Sequence, residues 1–327
     1  MTRLPAGLKL CFFALGLLAS ATLASAQEYP SKPIRMVVGF AGGGGEAIVR
    51  MLAERMSTAL KQPIVVEPIP AGSGVQAAGI VARAAPDGYT LLAGNSTSHI
   101  IKPLTLKAIS YDPIKDFTPI AFLSEPTLVL AVRADLDIND VPAFVERSKK
   151  SRTLVGVPGV GSTGHVYMLA LNKATGSAFA AVPYKDDSSL MLGLLGGNVD
   201  AAIAVGATIN RVLQGTENAD KIRVVGLFNS GPRPGFEGVR TVAEQIPGFK
   251  GLTAFSAFWG PAGLPPNIAL RLNGVIGEAL QDPTIRDRML ALGAVAISGP
   301  PDKLGNTIKE EMPRFGALLK EAGIEPE

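Results

Sequence analysis

The chain has 327 residues, with 31 basic and 28 acidic side chains, two histidines and one cysteine. A charge balance this close to neutral excludes the broad basic footprint of a nucleic-acid binder. A single cysteine excludes a disulfide framework and a thiolate metal cage, and two histidines leave catalytic and metal chemistry short of side chains. Residues 1–26 read as a secretory signal peptide. Arg3 and Lys9 precede an apolar run from Leu10 to Ala19, and Ala24-Ser25-Ala26 offers a small-x-small cleavage site before Gln27. The apolar run is shorter than the roughly 20 residues that a bilayer-spanning helix needs. Cleavage there removes Arg3, Lys9 and Cys11, leaving 29 basic against 28 acidic side chains and no cysteine. The remaining chain is long enough for two domains.

Short apolar strands then alternate with helical segments. A strand at 34–38 runs into the glycine-rich loop 41–45 and a helix over 46–60, where Ile48, Leu52 and Met56 share one face. A strand at 64–66, a helix opened by 71–74, a turn at 86–88 and a strand at 90–93 follow, ending in the polar loop 94–99. A second series places strands at 128–132, 154–157, 199–204 and 223–228 and helices over 139–150, from His165 and over 188–195. One more strand lies at 255–259, and helices fill the chain after Pro265. This rhythm predicts two α/β lobes, each a mainly parallel sheet flanked by helices. Lobe 1 is expected to take 27–126 plus 257–327 and lobe 2 to take 127–256. Crossings are placed near 125–128 and 250–258, with the C-terminal helices packed back on lobe 1.

Three polar, glycine-containing loops follow strands, at 41–46, 94–99 and 159–164. In open α/β sheets ligands sit outside the carboxyl ends of strands. Free backbone N–H groups that converge there suit an anion, and Ser96, Thr97, Ser98, Ser162 and Thr163 add hydroxyl donors. Gly42-Gly43-Gly44-Gly45 has neither the G-x-G-x-x-G register nor a GK[ST] ending, which argues against a nucleotide. His99 and His165 read as hydrogen-bonding residues at a loop and a helix start, not as catalytic bases. Ser162 lacks the spacing of a nucleophile elbow. Ser162 with His165 is the one pair a secreted hydrolase could use, with no third residue marked to orient the histidine. Asp186-Asp187 reads as a cap for the next helix. Trp259 reads equally as a ligand-stacking ring and as core. No catalytic residue, metal or cofactor is expected.

Several runs resemble one family. These are Tyr29-Pro30-Ser31-Lys32-Pro33-Ile34-Arg35, the run from Ala84 to Leu92, the run from Tyr111 to Ile120, Val182-Pro183-Tyr184-Lys185 with the stretch from Leu194 to Asp200, and the stretch from Gly260 to Pro265 with Arg271-Leu272-Asn273. Together they are similar to extracytoplasmic solute receptors of the tripartite tricarboxylate transporter type, also called the Bug family. The resemblance implies a monomeric periplasmic binding protein of type II architecture. Such a receptor closes by a hinge on a small organic carboxylate, held largely by backbone amides and waters, and delivers it to membrane transporter subunits. An accessory sensor for a membrane signalling protein would use the same pocket.

Carried over by position, the ligand contacts fall on Phe40, Gly42, Gly43, Gly44 and Glu46; on Asn95, Ser96, Thr97, Ser98 and His99; and on Gly161, Ser162, Thr163 and His165. Tyr184 and Lys185 lie near the rim. The chain departs from the family twice. The first loop is one residue shorter, with Glu46 at the usual Asp position, and Ala204 and Val205 stand where an Asp-Asn pair is usual. A wall without that pair is expected to be less polar, which favours an acid with an apolar body over an amino acid.

Overall fold

The computed structural model describes residues 29–40, 43–215, 217–229, 231 and 233–326. The expected signal peptide and Gly42 lie outside the described residues. The first sheet opens with β1 (Ile34–Val38), α1 (Gly43–Leu60), β2 (Ile64–Pro68), α2 (Val75–Ala82), β3 (Thr90–Asn95), α3 (Lys102–Thr105) and β4 (Phe117–Pro126). Only Thr127 separates β4 from the second series, which is β5 (Leu128–Arg133), α4 (Val141–Lys150), β6 (Leu154–Val157), α5 (Thr163–Thr175), β7 (Ala180–Pro183), α6 (Asp187–Leu195), β8 (Ala201–Val205), α7 (Gly206–Leu213), β9 (Ile222–Leu227) and α8 (Val242–Gln245). The chain returns through β10 (Ser256–Pro261) and ends with α9 (Pro266–Gln281), α10 (Pro283–Ala291), β11 (Ala294–Ala296) and α11 (Pro301–Glu321).

Strand order is β11-β4-β10-β3-β1-β2 in the first sheet and β7-β6-β8-β5-β9 in the second. The two-sheet α/β architecture agrees with the expectation from sequence, but neither sheet is mainly parallel. β1 pairs parallel with β2 and β3, and β6 with β7 and β8. β10 inserts antiparallel between β3 and β4, β11 pairs antiparallel with β4, and β5 pairs antiparallel with β8 and β9. Parallel neighbours need a crossover helix on their own sheet. β5 and β10 each arrive from the other sheet without one, so both sheets are mixed.

Local sequence accounts for the elements that position the site. Ile48, Val49, Leu52 and Met56 are buried on α1 while Arg50 and Glu54 face solvent. This is the stripe of a helix packed on a sheet, and each buried side chain contributes roughly 1.5–3 kcal/mol. The Asp186 side chain accepts from Ser189 N–H at 2.8 Å and closes a capping box on α6. Ser162 caps α5, and Gly176 ends that helix in the left-handed conformation.

The crossing is pinned by a buried polar cluster. Asn229 donates to Glu125 Oε1 and to the Pro126 carbonyl, both at 2.9 Å, and accepts from Leu128 N–H at 2.7 Å. Arg233 pairs with Glu125 beside it. α9 packs on β4 and α1. α11 packs on β4 but also reaches α5 of the second series, where Lys173 pairs with Glu321 at 2.7 Å. Thr253 donates to Glu311 at 3.0 Å, on the return path to β10. The last helix therefore links the first sheet to a helix of the second series, beyond the expected packing on lobe 1. No helix among the described residues is long and apolar enough to cross a membrane.

Candidate functional site

A cavity of about 630 Å³ opens between the two sheets, at the carboxyl ends of β4 and β8. That volume lies in the range of small-molecule sites. One wall is the first turn of α1 with Gly44 and Gly45, then Ser124 and Pro126 of β4, Ser256 of β10 and the turn from Leu290 to Ala294. The other is Val205, the α7 residues Ala207, Thr208, Asn210 and Arg211, then Gln214, Pro234, Phe236 and Asp187. Thr127 lies at the junction, donating to the Gly293 carbonyl at 3.1 Å and accepting from Gly206 N–H at 2.7 Å. The crossing residue thus links the two walls through main-chain bonds.

The walls differ in chemistry. The first-turn N–H groups of an α-helix have no intrahelical acceptor, and the helix dipole makes that end partially positive. Those of α1 adjoin the cavity at Gly44 and Gly45. Glycine is required at the first of these and merely eases packing at the second. A Cβ on Gly44 would lie 2.7 Å from the Leu292 carbonyl, and one on Gly45 3.2 Å from the Phe40 ring. Glu46, which stands at the family's acid position, turns along the helix to Arg50 at 2.7 Å. Phe40 is half-buried against the same core as Ile48 and Leu52.

On the second wall Val205 lines the cavity, whereas Ala204 is buried in the sheet core. The wall is nevertheless more polar than the residues at 204 and 205 suggest. Asp187, Thr208, Asn210, Arg211 and Gln214 supply it from two other helices and a helix end.

The other sequence-predicted residues form two small networks away from the cavity lining. Asn95 Oδ1 accepts from Ser98 N–H at 3.1 Å, Ser96 N–H donates to the Phe255 carbonyl at 2.9 Å, and Ser98 Oγ bonds the Asn95 carbonyl and His99 Nδ1, both at 3.0 Å. Thr97 to Ile101 form one wide helical turn, not an open loop. His99 is fully buried, and its ring stacks on Trp259 with centroids 3.8 Å apart and 9° between planes. Burial lowers its pKa to about 3, so it is neutral. Trp259 is therefore core on this face.

In the other network Ser162 Oγ accepts from His165 N–H at 3.2 Å and His165 Nδ1 accepts from Gly161 N–H at 3.0 Å, with Thr163 beginning the helix. Burial lowers the His165 pKa as well. The serine and the histidine each serve the start of α5, and neither bonds the other as nucleophile to base. Tyr184 lies half-buried over Gly193 while Lys185 is exposed.

Sequence reasoning missed Ser124, Thr127, Asp187 as a lining residue, the polar face of α7 and the turn at 290–294. The α7 face had a signal, since Asn210 and Gln214 are four apart and Thr208 and Arg211 three apart. The turn at 290–294 had none, because it reaches the cavity only through tertiary packing.

Comparisons with known proteins place this geometry in a family. The model of the tripartite tricarboxylate transporter family receptor matches residues 48–324. BugT of Bordetella pertussis is 30% identical over 329 residues, covering 99% of this chain and 98% of that protein. Among solved structures, an R. palustris protein with adipate superposes with a TM-score of 0.77 at 27% identity, covering 92% of this chain and 100% of the other. MatC from Rhodopseudomonas palustris with bound malate gives 0.71 at 28% identity, covering 91% and 100%. Matched across 48–324 by the family model, and nearly end to end by BugT, the chain belongs to the receptors of the tripartite tricarboxylate transporter family.

Proposed function

We propose that this receptor captures a small organic carboxylate in the cavity between its two sheets and delivers it to a membrane transporter from the periplasm. The reading is carried by one observation: the N-terminus of α1, the natural anion-binding end of a helix, opens onto a cavity of ligand size lined by both halves of the molecule. The relatives solved with adipate and with malate hold carboxylates, which supports the same class here. The carboxylate meets the amides around Gly44 and Gly45, and Val205 closes on it from the other side. The loop Asn95–His99 ties the end of β3 to the entry of β10 through Ser96 N–H and Phe255, and Gly161–His165 builds the start of α5. Hinge closure is favoured to the extent that the second half adds contacts to the bound acid.

A thermal-shift screen of linear and branched mono- and dicarboxylates tests the reading. At least one acid should stabilise the protein by mass action, by about 2.7 kcal/mol at a hundred times its dissociation constant. A screen in which sugars or nucleotides shift the melting temperature and no carboxylate does would overturn it. For delivery, loss of the receptor should abolish cellular uptake of the acid so identified.

A further inference from the structure

The cavity carries an acid for which anion capture has no use. Asp187 is the first residue of α6 and lines the second wall. Its neighbour Asp186 is exposed and spent on the helix cap. Asp187 is half-buried, and among the described residues its side chain bonds only the Thr208 hydroxyl, at 3.5 Å, the outer limit of a hydrogen bond. No ion pair holds it among the described residues. Burial keeps its carboxyl above the usual carboxylate range, which Thr208 partly offsets and the charge of Asp186 reinforces. A carboxyl in that condition gains from any donor brought to it.

Asn210, Arg211 and Gln214 line the same wall, but among the described residues only Thr208 bonds the Asp187 carboxyl. Arg211 lies on the same wall, three residues beyond Thr208, and it is exposed. The opposite wall offers the α1 amides, which suit the acid end of a ligand. A bare alkyl carboxylate would satisfy those amides but bring no donor to Asp187. A carboxylate that also bears a hydroxyl or an ammonium group would satisfy both walls. This reverses the preference for an apolar-bodied acid expected from Ala204 and Val205, because Asp187 supplies the acceptor from a different element.

Resting on the carboxylate reading above, we propose that Asp187 is a specificity-determining residue that selects carboxylates carrying a hydrogen-bond donor, hydroxyl or ammonium, on their carbon chain.

Isothermal titration with two matched series tests it: succinate, malate and aspartate, and butyrate, 3-hydroxybutyrate and 3-aminobutyrate. In the full-length secreted receptor at least one donor-bearing acid should bind about tenfold or more tighter than its donor-free parent. Asp187→Ala should bring the pair to within about twofold. Asp187→Asn keeps an acceptor without the charge, so it should retain a hydroxyl preference and lose an ammonium one, which separates the two sources. Asp186→Asn, which keeps the helix cap, should leave the preference intact. Circular dichroism melts confirm that each variant is folded. Donor-free acids binding as well as their partners, or a preference that survives Asp187→Ala, would overturn the proposal and leave carboxylate capture standing. Failure of every acid in both series would instead remove the carboxylate reading on which it rests.

Discussion

Val205 ends β8 and occupies the N-cap position of α7 with a side chain that accepts no hydrogen bond. A polar residue at this position would both cap the helix and face the cavity. Val205→Asn should therefore stabilise the fold by about 1 kcal/mol, seen as a rise of a few degrees in melting temperature. Val205→Asp should cap equally well while placing a negative charge in the cavity, so stability is kept and carboxylate affinity falls at least about tenfold. Equal affinity in the aspartate variant would remove Val205 from the ligand wall.

His99 makes a second prediction at this scale. Its folded pKa, about 3, lies below the ordinary 6.5 because burial penalises the cation. The unfolded chain takes up a proton below pH 6.5 that the folded chain refuses. The histidine's contribution is thus complete above 6.5 and is lost as pH falls toward 3, at up to about 1.4 kcal/mol per pH unit. Urea melts between pH 6.5 and 4.5 should show that slope, and His99→Gln should reduce it. An unchanged slope would mean that His99 is not buried as a neutral ring.

The residue scale is also where sequence reading was least sufficient. Asp186 was legible as a cap. That its neighbour faces the cavity depends on the first turn of α6 sending adjacent side chains in different directions.

Among the elements, apolar runs such as those of β1, β6 and β8 could be read directly, because buried strands write a continuous hydrophobic signal. β4, β7 and β11 could not. β4 contains Pro119 and ends in Pro126, both of which argue against an internal strand. The structure accommodates Pro119 at a register shift opposite Trp259. β7 and β11 are short and alanine-rich, with little β-branched content, and lie at sheet edges.

α11 was legible as part of the helical tail after Pro265, but not as a brace between the two halves. Its Phe315 is fully buried. Phe315→Ala should cost about 3–5 kcal/mol by loss of burial and cavity formation, measured by chemical denaturation. A cost below about 1 kcal/mol would show that the helix is not anchored there.

At the level of the whole molecule, the alternation of strand and helix announced an α/β architecture of two sheets flanked by helices. The mixed character of the sheets was hidden. It arises only when a strand arrives from the partner sheet, a property of topology that no local window contains.

The insertion of β10 between β3 and β4 has a consequence for how the protein is made. Both flanking strands are translated well before the one that joins them, and the entire second half of the molecule comes off the ribosome in the interval. A nascent chain of this design holds a gap in its first sheet until its final third is synthesised. The first sheet is therefore closed by a strand that is made only after every strand of the second.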